Sequence, residues 1–374
     1  MNYEQILIFG LWHPKSDDRI FYKQAISLNK KLNVKCIWWV FSNKKGIWEE
    51  EWIENIWLKW NRLTTLVKAW WYWIKNKADI YVAHDLDSYL VIIGIKLFKW
   101  KSKIVFDVHE YYELLDKKNW LSLFQKLLIK FYKNLFKPLT IRLISWLTLV
   151  TEDMKKYFTK NIKKEVIYNF PIKKLFSNIQ PNNKLDKSFS YLVYHWWISE
   201  DRGIWQMIKI IEKLNSNFKL LLIWWFFSKS LEEEVLNYIK NNNLKNKVIY
   251  TWKLPFKDTI SYLKNPVKKI WLVLLENSGQ MSKTIPIKML EYLQLEIPQI
   301  WSNHINSFKQ FIASNKCWIA VEYWNTEQVV NAILNIYNNY DKYVTQCKKI
   351  KNNYIWENEE KKLLNFYNEI LNEK

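Results

Sequence analysis

The sequence predicts an α/β protein made of two Rossmann-like, doubly wound parallel-sheet domains facing a central cleft. Three observations predict it. A length of 374 residues gives room for about two domains; short apolar runs alternate with amphipathic helical stretches along the chain; and this alternation comes in two sets. Strand-helix-strand at this spacing makes right-handed βαβ units, which build parallel sheets. In the first set the strands are QILIFG (5–10), VKCIWWV (34–40), DIYVAH (79–84), KIVFDVH (103–109) and LTLVT (147–151), with helices over 17–31 and 87–98. In the second they are FSYLVYH (189–195), KLLLIW (219–224), NKVIYTW (246–252), KKIWLVLL (268–275) and IPQIWS (297–302), with helices near 201–214, 229–243, 256–264, 286–295 and 325–339. The polar stretch SNIQPNNKLDKS (177–188) is the linker candidate. Residues 357–374 make a charged amphipathic helix. The domains are placed at 1–170 and 171–350, followed by a C-terminal helix within 351–374.

Composition excludes several classes. A charged fraction of 25% and a hydrophobic fraction of 49% are those of a globular chain, not of a disordered or collagenous one. Cys36, Cys317 and Cys347 stand singly, without a pattern for zinc or a disulfide framework. No run of about 18 uncharged apolar residues exists, and the opening MNYEQILIFG lacks the regions of a signal peptide. A cytosolic protein is expected. Two counts stand out: 24 Trp and 5 Gly, where average usage gives about 26 Gly. Trp-Trp pairs at 38–39, 196–197 and 224–225 each follow an apolar run, where a chain leaving a buried strand needs positive φ or close backbone approach. Most of these Trp therefore read as glycines of the living protein, from UGA codons that the host decodes as Gly. A Trp-rich carbohydrate-stacking surface is the other reading, but stacking aromatics belong on exposed faces, not in every strand-to-helix turn.

The formal charge of +21 invites a nucleic-acid partner. Much of it follows the Lys-, Asn-, Ile- and Tyr-rich usage of an A/T-rich genome, and no nucleic acid is expected. Its informative part is segment 117–142, where Lys117, Lys118, Lys126, Lys130, Lys133, Lys137 and Arg142 occur without an acid. Leu121, Phe124, Leu127, Leu128, Phe131 and Leu135 interleave at helical spacing, giving a basic amphipathic helix. Such a helix suits peripheral contact with an anionic membrane at its inner face; a stripe packed on the core is the alternative.

Ligands of doubly wound folds bind at the carboxyl ends of strands. After the first strand, His13, Lys15 and Arg19 lie on a loop and helix start capped by Ser16 or Asp17, suited to admitting a substrate; solvated loop charges explain them as well. His84 and Asp85 stand at the tip of the third strand, and His109 and Glu110 at the tip of the fourth, suited to orienting sugar hydroxyls or to proton transfer. Asp85-Leu86-Asp87 mimics a metal-binding DxD but opens a helix, where Asp caps, so no metal is expected. In YHWWISEDRGIW (194–205), Trp196 and Trp197 read as Gly give a small-residue loop before a helix N-terminus that binds phosphate, with Arg202 adding a bidentate cation. In SKTIPIKMLEYL (282–293), Pro286 suits a first helical turn and leaves the amides near Thr284 and Ile285 for an anion. Lys288 and Glu291 follow, the carboxylate suited to ribose hydroxyls.

These strings resemble the retaining GT-B glycosyltransferases of family 4 type, the group 1 glycosyl transferases. The resemblance rests on HPKSDDRIFYKQAISL, DIYVAHDLDSYL, KIVFDVHEYYE, LTLVTEDM, VIYNFP, YHWWISEDRGIWQMIKII, LLLIWWF, VIYTWKLP, IPIKMLEYLQLEIPQIWS and CWIAVEYWN, several with Trp where the family writes Gly. It implies a nucleotide-diphosphate sugar as donor substrate, no cofactor, and a glycan or lipid-linked acceptor of cell-envelope polysaccharide synthesis held by the N-terminal domain, onto which the C-terminal helix crosses back. It implies Arg202 as the donor-phosphate cation, Glu291 as the ribose carboxylate, the Thr284 and Ile285 amides as pyrophosphate ligands, and His84 and His109 at the reaction centre of a metal-independent, retaining transfer. Trp356 falls where such proteins often carry a true Trp. The chain departs from the family at Lys283, where the first carboxylate of an E-x7-E pair belongs, and at Glu296, where Gly is favoured. A nucleotide-sugar epimerase on the same scaffold and a non-catalytic basic membrane-surface protein are the rival expectations.

Overall fold

The computed structural model describes residues 4–373 except 11–12, 14–16, 33, 42–45, 51–52, 59–61, 76, 113–122, 159–160, 277–285 and 306–314. The chain divides into two compact units, residues 1–169 with 356–374, and residues 170–355.

The first unit carries β1 (Glu4–Gly10), β2 (Val34–Phe41), β3 (Gly46–Glu50), β4 (Ile53–Leu58), β5 (Ile80–Ala83), β6 (Lys103–Val108), β7 (Trp146–Leu149) and β8 (Lys163–Val166). They form one sheet in the order β3-β4-β2-β1-β5-β6-β7-β8, parallel except for the β3–β4 pair. The central strands are apolar on both faces because helices cover both: Ile6 to Phe9, Ile80 to Ala83 and Ile104 to Phe106 are all buried. The helix Leu86–Phe98 begins on a capping box, the Asp85 carboxylate accepting from Ser88 N at 2.6 Å. Helix Trp356–Asn372 packs on this unit. Trp356 Nε1 donates to Ser27 Oγ, Ser27 Oγ donates to Glu360, and Glu359 accepts from Tyr168 N, while Leu363, Phe366, Tyr367 and Ile370 enter the core.

The second unit carries β9 (Ser190–Tyr194), β10 (Phe218–Leu222), β11 (Val248–Tyr250), β12 (Lys269–Val273), β13 (Gln299–Ser302) and β14 (Trp318–Val321). They form an all-parallel sheet in the order β11-β10-β9-β12-β13-β14. Leu192, Ile208, Leu220, Leu272 and Ile300 centre its core. In each sheet the first strand lies between later ones, β1 between β2 and β5, and β9 between β10 and β12. Strand order reverses there, so the loops after β1 and β5, and after β9 and β12, splay apart and leave room for a ligand.

Two expectations are corrected. The stretch 177–188 is not a linker. Ser261 Oγ donates to Gln180 O at 2.6 Å and Asn265 Nδ2 to Asn182 Oδ1 at 2.8 Å, tying it into the second unit, and the division falls at 169/170 instead. The described part of the basic segment does not bury a continuous apolar stripe. Leu123, Leu127, Phe131, Leu135 and Leu139, four residues apart, are all exposed, while Ile129, Tyr132 and Ile141 face the core. Leu121, Phe124 and Leu128 lie outside the described side chains.

Candidate functional site

In the first unit the switch point gathers three histidines around a buried carboxylate. His84 follows β5, His109 follows β6, and Asp107 is the fifth residue of β6. Asp107 is fully buried; its Oδ1 accepts from Arg19 Nη2 and Thr148 Oγ1, both at 2.6 Å, and its Oδ2 accepts from Arg19 Nε and His84 Nδ1, both at 2.9 Å. His109 Nδ1 lies 3.7 Å from the same Oδ2. The His13 ring stands edge-on to His109 with centroids 4.9 Å apart, and His13 Nδ1 meets Asp17 Oδ2 at 3.0 Å.

The environments push the groups apart. Burial alone would raise the Asp107 carboxyl, but the Arg19 charge and the hydrogen bonds around it hold it well below the usual carboxylate range. Burial lowers the His84 imidazole despite the opposing pull of Asp107, so it is neutral near pH 7. At His13 burial also lowers, but the Asp17 bond and the charges of Asp17, Asp85 and Glu110 prevail, and its net shift is upward. A neutral imidazole held in one tautomer by a carboxylate can accept or relay a proton; a more readily protonated one beside it can donate.

The structure places the expected residues unequally. Arg19 is not an accessible loop cation: it is buried, with Nη1 donating to Ile167 O at 2.9 Å and the rest of its fork on Asp107. Asp85 caps its helix. Glu110 is half-buried beside the cluster. Lys15 lies outside the described residues. Asp107 and Thr148 were not singled out from sequence, although a lone acid within the apolar run KIVFDVH was the available signal, since a buried charge needs partners. His84, Asp107 and His109 each offer a ligand atom within 4.8 Å of one another. Both Asp107 oxygens already serve Arg19, whose guanidinium would repel a cation, so the set fits a hydrogen-bonded relay better than a metal site.

In the second unit the loop after β9 runs His195, Trp196, Trp197, then a short turn Glu200–Arg202 into helix Ile204–Lys213. Gly203 has φ 77°, and a Cβ there would lie 2.3 Å from Leu274 O, so only glycine brings Arg202 this close to the end of β12. The Arg202 guanidinium stacks 4.5 Å over the Trp196 ring, and its buried Nη1 has no hydrogen-bond partner among the described residues. Trp197 is partly exposed. On the helix Ile287–Gln294, Lys288 Nζ donates to Glu291 Oε2 at 2.8 Å, and Glu291 is largely buried. Burial, with the Lys288 charge second, lowers the His195 imidazole well below its usual value, and the His195 ring lies 6.4 Å from Tyr292. These contacts put the Lys288–Glu291 helix against the loop that carries Arg202. Thr284, Ile285 and Lys283 lie outside the described residues.

Tryptophan placement bears on the composition. Trp224 (φ 151°) and Trp252 (φ 56°) have left-handed or related backbone, which favours glycine, and both fall in turns after strands. Glu296, at another position where the family favours Gly, has φ 61°. Trp356 is buried and hydrogen-bonded.

Residues 176–354 match the family described as glycosyl transferases group 1. Among solved structures, sucrose-phosphate synthase from Thermosynechococcus elongatus superposes with TM-score 0.74 at 12% identity, covering 98% of this chain and 99% of that one. A glycosyltransferase from Rickettsia africae superposes with TM-score 0.72 at 18% identity over 100% of both chains. Anabaena HepE in complex with UDP-glucose superposes with TM-score 0.70 at 11% identity, covering 98% and 100%. No curated protein matches the sequence. The two-sheet α/β fold is that of GT-B glycosyltransferases.

Proposed function

We propose that this chain transfers a sugar from a nucleotide-diphosphate donor to a glycan or lipid-linked acceptor, with retention and without a metal. The observation that carries the reading is Arg202: a half-buried cation whose buried Nη1 has no hydrogen-bond partner among the described residues, at the N-terminal approach to a helix, inside the segment that matches group 1 glycosyl transferases. Bond breaking builds negative charge on the departing diphosphate, and a fixed guanidinium and helix N-terminus stabilise it where it develops. Glu291 is the acceptor for ribose hydroxyls, with the Lys288 hydrogen bond orienting its carboxylate. The amides of Thr284 and Ile285 complete the pyrophosphate cradle in this proposal. That HepE is solved with UDP and with UDP-glucose supports a nucleotide sugar as donor. His84, positioned by Asp107, and His109 and Glu110 are assigned to handling the acceptor hydroxyl's proton, with His13 and Asp85 beside them.

The donor loop has to be slim for this chemistry, so we infer glycine at 196, 197, 224 and 252 in the native protein; positive φ at two of these supports it. The outward ridge of helix Leu123–Phe131 and its continuation, flanked by Lys126, Lys130, Lys133 and Arg142, supports peripheral contact with an anionic membrane, the place of a lipid-linked acceptor. No helix among the described residues is long and apolar enough to cross a membrane. Radiolabelled UDP- and GDP-sugars incubated with membrane lipid extract test the function. Label moving to the extract supports it; interconversion of the free nucleotide sugar would make the chain an epimerase, and no chemistry with intact membrane binding would make it a non-catalytic surface protein.

A further inference from the structure

At the opposite edge of the second sheet, where its strands begin, lies a cavity of about 490 Å³ that the sugar-transfer reading does not use. Lys269 opens β12 at its floor, Ile297 leads into β13 on its wall, and the C-terminal end of helix Ile287–Gln294 closes one side. Lys173, Lys264, Lys269 and Lys351 line it, with Glu296 as the sole carboxylate among the described lining residues. Main-chain carbonyls hold two of these ammoniums: Lys264 Nζ donates to Ile179 O at 2.8 Å, and Lys269 Nζ to Val267 O at 2.7 Å and to Asn265 O. Carbonyls orient a cation without neutralising it. Glu296 is shared between Lys351 at 2.8 Å and Lys348 at 3.7 Å, and its left-handed backbone (φ 61°) closes the helix end, with Ile297 N donating to Tyr292 O. Phe176, Leu263, Ile297 and Val344 supply an apolar wall.

We propose that this cavity is an anion site that takes a phosphomonoester, the lysines gripping the phosphate and the apolar wall the organic part. The charge balance favours an anion: four lysines line a partly enclosed space in which the one carboxylate, Glu296, already pairs Lys351, and repulsion there is weakly screened. Lys269 carries the cost visibly, since burial pushes its ammonium down to about 7, and a bound phosphate would relieve it. The eight-residue helix Ile287–Gln294 bears Glu291 near its middle and reaches this cavity at its end, about 12 Å along.

Calorimetric titration of the full chain with inorganic phosphate and with glucose 6-phosphate tests the site. An Arg202→Ala background keeps the donor loop from contributing, so this test stands or falls apart from the transferase reading. Saturable binding is expected, tighter for the ester than for phosphate. Lys264→Gln with Lys351→Gln should weaken it about tenfold or more, the effect of losing charge-assisted hydrogen bonds, and Glu296→Gln should tighten it severalfold. Because the two changes act in opposite directions, misfolding of the lysine variant cannot mimic the pattern. Absence of saturable binding, or binding indifferent to all three substitutions, overturns the site; phosphate binding without the ester overturns the assignment of its ligand.

Discussion

Replacing Asp107 by Asn probes the buried cluster of the first unit. The carboxylate is fully buried and accepts from Arg19 twice, from Thr148 and from His84, while Arg19 itself is only 5% exposed. The asparagine keeps the volume but removes the charge, and its amide places N–H groups where one oxygen had accepted. Arg19 is then a buried cation lacking its counterion. Breaking a buried pair this way costs about 3 to 5 kcal/mol. At about 2 to 4 °C per kcal/mol for a unit of this size, the unfolding transition of the first unit should fall by roughly 6 to 20 °C. Scanning calorimetry reads it. The double variant Asp107→Asn with Arg19→Met should recover much of the loss, because it removes the stranded charge as well. A drop below about 2 °C, or a double variant no better than the single, would refute the view that this pair anchors the histidines.

Acidification should destabilise the protein. The His84 and His195 imidazoles are held below their ordinary value of 6.5 when folded, so the unfolded chain binds more protons below about 6.5 and stability falls as pH drops through that window, by at most about 1.4 kcal/mol per unit for each group. His13, shifted upward, works the opposite way and offsets part of it; a melting temperature that rises between about pH 7 and pH 5 contradicts this balance. Vesicle sedimentation with phosphatidylglycerol should show binding that Lys126→Gln with Lys130→Gln weakens by about 2 kcal/mol, roughly thirtyfold; unchanged binding removes the membrane proposal. The intact mass of protein from its native host should be lower than the literal sequence by an indole side chain at each recoded position, and a mass accounting for all 24 Trp ends the glycine inference.

Most of the parallel strands were legible because each is a short apolar run flanked by turn residues; β5, β6, β9, β11, β12 and β13 fall within the expected ranges, and β1 and β10 start one residue before theirs. The β3–β4 pair was not. IWEEEWIENIWL mixes charges and aromatics in a way that neither buried-strand nor helix periodicity describes, and an edge hairpin tolerates this. Helix Arg62–Lys75 and the edge strand β8, KKEV, were also passed over. Strand-tip histidines were readable from their positions. Their organiser was not, because Asp107 acts through Arg19 and Thr148, 88 and 41 residues away in sequence, and only folding brings these together. The loop arginine at 19 illustrates the converse: a charge after a strand suggests solvent, yet its partner pulls it inside. Polar composition likewise made 177–188 resemble a linker, whereas its carbonyls and amides are consumed by Ser261, Lys264 and Asn265.

The central claim is that Arg202 and Glu291 hold a sugar nucleotide for transfer. Single-turnover transfer from a matched radiolabelled donor, using protein with glycine at 196, 197, 224 and 252, tests it most directly. Arg202→Ala should slow transfer by about 10²- to 10³-fold, the cost of removing one fixed donor to developing charge, and Glu291→Gln should weaken donor binding by about tenfold or more. Both variants transferring sugar at the unsubstituted rate and affinity would contradict it.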